Sequence, residues 1–526
     1  MTRSENRDRV SFSEGGVMVK EQVKWSADYV ALGLAALAFV LHAACAGRYD
    51  VFRDELYFIV CGRQPAFGYV DQPPLIPLLS AGFYALGHNA WMLRLPATLA
   101  AGALVWLAVR FARLLGGGTF AAIGAGVCVT IAPMLMGIVA VFNTTVFDPL
   151  AWTLIAYLLV KATRDGDRPA LLWCGVVAGI DFEAKYALYV WAIALVVGLL
   201  ATPERRIFRD RMLWLGAAIA IVIGLPSILW QATHGWPFLE LAAAARAKNT
   251  DIPPLNFIIN QVLVMNPLLA PVWIAGVVAP FVIASLKPVR FLAIAFLASF
   301  ALTLITHGKD YYIASTYPTV FILGAVAWAH WFRKARARIG LAVWGGLAVA
   351  LSAAISPMAL PVLSVEGLRA YIAHSPFKPQ QQEKSFKGTL LPQVFADQLG
   401  WHDYTDQVGA AWRKIPADVR ARTGIKVENY GEAAALDIYG PKYDLPPALS
   451  GHNQYYQWGL RGQKPVNLLV VQNNPDRLEP YCQKTVILGE TYSRDAMAYE
   501  NGKTIALCQG LKVDIVKLWP ELKNFS

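Results

Sequence analysis

Charge is scarce in this sequence: of 526 residues, 16% are Asp, Glu, Lys or Arg, against 56% apolar. A water-soluble globule carries about a quarter of its residues as charges, so this composition excludes an ordinary soluble protein. Cysteine is scarce as well. The chain has 6, and none stands in a Cys-x-x-Cys or mixed His/Cys spacing that would hold a metal. No signal-peptide cleavage pattern follows the first apolar run. No internal repeat is visible either, which argues against the folds of many transporters. The net charge of +11 does not mark a nucleic-acid binder, because the basic residues cluster between apolar segments.

What is present is a succession of apolar runs. Over the first 360 residues, stretches of about 18 or more mostly apolar residues recur, long enough to cross hydrocarbon as helices. A polar tail, residues 1–25 with Arg3, Arg7, Arg9, Lys20 and Lys24, leads into an uncleaved first span at 29–46. Further spans are predicted near 92–115, 120–141, 147–160, 170–180, 186–200, 212–231, 257–285, 291–306, 313–332 and 339–360. That makes about eleven helices in a membrane domain over residues 26–360. Residues 73–86 are apolar but short, and are expected to lie at the interface or dip into it.

The connections alternate in charge. One set holds Arg110 and Arg113; Lys161, Arg164 and Arg168; Arg205, Arg206, Arg209 and Arg211; Lys287 and Arg290; Arg333, Lys334, Arg336 and Arg338. The other set mixes signs. By the positive-inside rule the amino terminus is cytoplasmic, in a multi-pass membrane protein. The loop 47–91 and everything beyond residue 360 then lie outside the cytoplasm.

Residues 361–526 have a soluble composition, with turn signals at Asn473-Asn474-Pro475 and Glu500-Asn501-Gly502 and a strand-like run at 466–471. They read as an extracytoplasmic α/β or α+β domain. Its stretch 430–459 is dense in Tyr, Asn, His and Trp, a composition found on sugar- or peptide-contacting surfaces and equally in plain loops. Cys482 and Cys508 are available to form a disulfide in an oxidising compartment; Cys45, Cys61, Cys128 and Cys174 fall in or beside apolar runs as small core residues.

Residues 53–79 are the polar centre of the membrane part. They place Asp54, Glu55 and Asp71 with Arg53 and Arg63 between apolar regions, and Pro73-Pro74 marks a sharp helix start. Adjacent Asp54 and Glu55 point in different directions, so they need not share a role. Either one also suits the first turn of a helix as a cap. Asp148, before Pro149, opens a span on the same side. Lys185 sits near Asp181 and Glu183, and Lys309-Asp310-Tyr311-Tyr312 abuts another span. Each has a plain reading as a cap, an ion pair or an interfacial aromatic. Together they fall on one face of the membrane, where ionisable groups are functional candidates.

The Asp54-Glu55 loop, the Asp71-Gln72-Pro73-Pro74-Leu75 element, Asp148 and Lys185 carry a family resemblance in this order, as does Lys309-Asp310-Tyr311-Tyr312 with Tyr317-Pro318. They resemble glycosyltransferase family 39, the bacterial relatives of dolichyl-phosphate-mannose protein mannosyltransferases. The resemblance extends to the lipid A aminoarabinose transferase and the rhizobial lipopolysaccharide galacturonosyl transferases. It implies a GT-C fold with the catalytic acid in the first outer loop. It also implies a polyprenyl-phosphate sugar donor, membrane lipid around it, and an acceptor hydroxyl on an envelope lipid, glycan or protein. Gln72 departs from the lysine that aminoarabinose enzymes carry there, so a donor-phosphate contact does not transfer to it.

The chemistry agrees with that implication. Inverting transfer needs a carboxylate to take the acceptor proton, for which Asp54, with Glu55 beside it, is the candidate. Cations must meet the leaving phosphate, a part for Lys185, Lys309 and Arg63, with Tyr311 and Tyr312 as donors. Glu55, Asp71 and Asp148 would position sugar or acceptor hydroxyls or orient the cations, and Asp310 joins them among the substrate-binding residues. The sequence marks no certain cofactor; a divalent metal between carboxylates stays open, without a dedicated site. The rival reading is a polytopic transporter or lipid flippase, for which a large outer domain has no need.

Overall fold

The structure, a computed structural model, describes residues 15–248, 252–376, 383 and 386–525, with side chains from residue 28 onward and none for 245–248. Arg3, Arg7 and Arg9 of the expected tail lie outside the described residues. The first helix, Gly15–Cys45, begins ahead of the apolar span and runs through it.

Among the described residues, six helices are long and apolar enough to cross a membrane, or up to eight if each of two bent pairs counts as one span. The expected count of about eleven is not confirmed by this measure, for local reasons. Pro133 has no N–H to give, and the run at 120–141 splits into Thr119–Ile131 and Pro133–Ile138. Pro267 likewise divides Pro254–Val264 from Pro267–Val282, which meet at 91°. At that corner Asn266 donates to Ala348 O at 2.9 Å and Ser352 Oγ at 2.7 Å, tying the bend to the last span. The apolar helices Leu75–Gly87, Thr119–Ile131 and Ala170–Phe182 have 13 residues each. Each is about 20 Å long, short of the hydrocarbon thickness.

Asp310–Trp331 is the central helix, 83% buried, whereas Arg211–Thr233 and Ala335–Met358 are mostly bare and face the surroundings of the bundle. The central helix packs on Ala270–Val282 through Gly324 and Gly276. A Cβ at either would come within 1.9 Å of the facing carbonyl oxygen, so only glycine permits this backbone contact.

The C-terminal domain is built on a five-stranded sheet in the order β2-β1-β3-β5-β4. The strands are β1 (Thr423–Val427), β2 (Leu449–Ser450), β3 (Asn467–Gln472), β4 (Cys482–Glu490) and β5 (Thr504–Leu511). β1 runs parallel to β2 and β3, while β5 is antiparallel to β3 and β4. β3 is buried along its whole length, which is why its sequence reads as an apolar run without alternation. The expected strand at 466–471 is found one residue later. Cys482 and Cys508 are joined by a disulfide, and the other four cysteines are free and buried. The helix Tyr430–Tyr439 leaves the end of β1 and packs on the helix Arg53–Arg63 of the polar loop.

Candidate active site

The polar loop becomes two helices, Arg53–Arg63 and Leu75–Gly87, held face to face. Gly62 lies so close to Pro77 that a Cβ there would sit 2.0 Å from its carbonyl oxygen. Phe52 precedes the first helix and has no side chain to cap it. Glu55 does that work by accepting the Phe52 N–H at 2.7 Å. Glu55 also accepts Arg94 Nε at 2.9 Å, Arg94 Nη2 at 2.8 Å and the Phe142 N–H at 2.6 Å. Both side chains are fully buried. Arg94 spends its other donors on Ala46 O and Asp50 O. Glu55 therefore has no lone pair facing a substrate.

Asp54, next to it, points the other way. Its side chain is 30% exposed, and Oδ1 accepts the Tyr430 hydroxyl at 2.8 Å and Arg53 Nε at 3.4 Å. Among the described residues, Oδ2 has no partner. Arg53 is pinned from the C-terminal domain: it bonds the Tyr499 hydroxyl, lies 3.8 Å from Asp397 and stacks over the Tyr430 ring at 5.4 Å. Burial pushes the Asp397 carboxyl up to about 7, against the pull of Arg53.

Asp71 accepts the Tyr57 hydroxyl at 2.9 Å on Oδ1 and Asn453 Nδ2 at 3.3 Å on Oδ2. Burial raises its carboxyl to about 7, with Tyr57 opposing. Beside it, Gln72 is 1% exposed, and both its amide atoms lack a partner among the described residues. The loop backbone is anchored to the bundle by Gln231 Nε2 donating to Tyr69 O, and by the Leu75 N–H donating to Glu183 O.

The remaining candidates form a third group. Asp148, at the first turn of Asp148–Arg164, has Oδ2 3.8 Å from Lys185 Nζ, and Lys185 donates to Thr145 Oγ1. Lys185 Nζ also lies 6.0 Å from the Tyr312 ring, and Tyr312 meets Tyr311 edge to face at 4.9 Å. Lys309 pairs with Glu383 at 3.0 Å. Asp310 accepts from Asn260 through its carboxylate, and from Gln261 through its carbonyl. Tyr430, which holds Asp54, packs 4.6 Å ring to ring on Tyr57, which holds Asp71, and this contact links the first two groups. Arg63 stays apart: it lies at the far end of its helix, over the Tyr84 ring. Among the described residues, no three His, Cys, Asp or Glu side chains are placed to share a metal ion.

Sequence reasoning missed Arg94, Tyr430, Asn453 and Glu383. Arg94 had a signal, a lone charge inside an apolar run. Tyr430 and Asn453 lie in the aromatic stretch 430–459, whose composition marks the segment but neither residue, and nothing local marks Glu383.

Residues 71–230 match the family described as Dolichyl-phosphate-mannose-protein mannosyltransferase. No curated protein sequence matches the chain. Among solved structures, the chain is similar to ArnT from Cupriavidus metallidurans bound to undecaprenyl phosphate. That similarity is at 14% identity and a TM-score of 0.59, over 94% of this chain and 98% of that one. The same ArnT in the apo state gives 15% identity and a TM-score of 0.54 over the same shares. Arabinofuranosyltransferase AftD from Mycobacteria gives 14% and 0.51, over 92% of this chain and 40% of that one. Residues 71–230 thus carry the match to that family, and the chain shares the fold of the ArnT structures over most of its length.

Proposed function

We propose that the protein transfers a sugar from a polyprenyl-phosphate donor to a cell-envelope hydroxyl at the outer face of the membrane, with inversion. The observation that carries this reading is the division of labour between Asp54 and Glu55. Glu55 is consumed by Arg94 and two backbone N–H groups, while Asp54 keeps Oδ2 available on a part-exposed carboxylate. Asp54 takes the acceptor proton as the acceptor oxygen bonds to the anomeric carbon. The bond from that carbon to the phosphate oxygen breaks, and polyprenyl phosphate leaves. Lys185, with Lys309 once Glu383 gives way, meets its charge. Asp148 orients Lys185, and Asp71 serves an acceptor or sugar hydroxyl. A lipid-phosphate partner is supported by the undecaprenyl phosphate bound to the similar ArnT structure.

Asp54→Asn tests the reading. It keeps the side chain's size and removes the base, a loss worth about a hundred- to ten-thousand-fold in rate. Transfer of radiolabelled sugar from the lipid donor in membranes, at matched protein level, reads it. Retention of more than about a tenth of parental turnover is too little loss for a base and would move the role elsewhere.

A further inference from the structure

The stretch 430–459 has the composition of a sugar-contacting surface, yet residues 448–455 within it are buried. His452, Asn453, Gln454 and Tyr455 are all at most 7% exposed, turned against the polar loop. The Gln454 N–H donates to the Tyr57 hydroxyl at 3.1 Å, and Gln454 Oε1 accepts the Val70 N–H at 3.1 Å. The Tyr430 ring packs 4.6 Å from the ring of Tyr57 and 4.9 Å from that of His452. Tyr430 opens a helix whose cap is Asn429, with Oδ1 accepting the Glu432 N–H at 2.9 Å. The next residue, Gly431, leaves room for Arg53: a Cβ there would lie 2.4 Å from Arg53 Cγ. The phenol of Tyr430 is thus aimed by its own helix start, by two aromatic neighbours and by an arginine above its face.

We propose that Tyr430 is a positioning residue of the transfer reaction, holding Oδ1 of Asp54 by its hydroxyl so that Oδ2 faces the acceptor proton. This rests on the reading of Asp54 as the base. It gives the C-terminal domain a part in the chemistry, beyond any contact with the acceptor. A hydrogen bond from a neutral donor favours the ionised carboxylate and fixes its plane. A base turned by even a small angle loses much of its effect. The C-terminal domain also reaches the second loop carboxylate, since Asn453 donates to Asp71. Each acid therefore takes one of its hydrogen bonds from the docked domain.

The test is Tyr430→Phe in the full-length protein, assayed in membranes. The variant keeps the ring, its packing on Tyr57 and its place under Arg53, and loses only the hydroxyl. Turnover should fall about 10- to 100-fold with the donor KM unchanged. The acid limb of the pH–rate profile should move to higher pH, because the carboxylate form has lost a donor. The groups facing Asp54 are Arg53, Asp71, Tyr311, Asp397 and Tyr430, and the variant alters only the last. A merely structural role would not move that limb. In an Asp54→Asn background, Tyr430→Phe should cost nothing further. Tyr492→Phe, an exposed tyrosine of the same domain, is the control and should match the parent. Parental turnover and an unmoved acid limb for Tyr430→Phe would overturn the proposal, as would full additivity with Asp54→Asn. An active Asp54→Asn would instead overturn the reading of the base, so the two failures are distinguishable.

Discussion

Arg94 grips Glu55 through two parallel hydrogen bonds, Nε to Oε1 at 2.9 Å and Nη2 to Oε2 at 2.8 Å, with neither side chain reaching water. Removing one partner strands the other as a buried charge, a loss of about 3–5 kcal/mol. Glu55→Gln and Arg94→Met should each lower the unfolding temperature and the folded yield, as read by thermal unfolding in detergent. The double variant should be less unstable than the sum of the two. Parental stability for either single change would show that the pair does not hold the loop.

Lys309 meets Glu383 at 3.0 Å, each side chain under a fifth exposed. A donor phosphate competing for Lys309 must displace that carboxylate. Lys309→Ala should raise the donor KM and lower turnover together. Glu383→Gln should act oppositely on binding, lowering the donor KM about fivefold, the equivalent of roughly 1 kcal/mol for a part-exposed pair. Initial rates against donor concentration separate the two effects. A higher KM for Glu383→Gln would mean that the carboxylate helps the donor.

Asp397, buried under Arg53, has its carboxyl raised from 3.8 to about 7, chiefly by burial. A raised acid holds a proton in the folded state that the unfolded chain releases. Its contribution to stability is full below 3.8 and is lost as the pH climbs to about 7. Within that window, Asp397→Asn should flatten the rise in unfolding temperature that the parent shows on acidification. Parallel curves for parent and variant would show that Asp397 does not titrate there.

On the proposed orientation the C-terminal domain would stand in an oxidising compartment, where the Cys482–Cys508 bridge would persist. In the folded protein both thiols should label only after reduction. A reporter fused after Asn524 should be active only outside the cytoplasm. Immediate labelling without reductant, or a reporter active inside, would reverse the orientation.

The parts of this architecture that sequence makes legible are those written locally. The apolar runs announce a membrane bundle, and the turn-rich tail of the chain announces a separate folded domain. Asp54 and Glu55 are adjacent on one helix, so their divergence follows from geometry, and the structure sends one inward and one toward Tyr430. The number of spans is less legible, because hydropathy does not register where Pro133 and Pro267 break a run. The stretch 430–459 is illegible in another way. Its aromatic composition is the same whether it faces a sugar or another domain, and its partner Tyr57 lies far back in the chain.

β1 and β3 are parallel, and from the carboxyl end of β1 at Val427 the chain runs into the helix Tyr430–Tyr439 beside the polar loop. In a free-standing α/β domain that end of the sheet is where a ligand would sit. Here the helix that follows β1, Tyr430–Tyr439, is covered by the Arg53–Arg63 helix of the same chain. Cut from the bundle at residue 361, the domain would turn Tyr430, His452 and Tyr455 out to water as one sticky aromatic plate. Its behaviour in isolation would then be governed by self-association, and an excised domain is best produced with the 53–63 helix supplied alongside as a peptide.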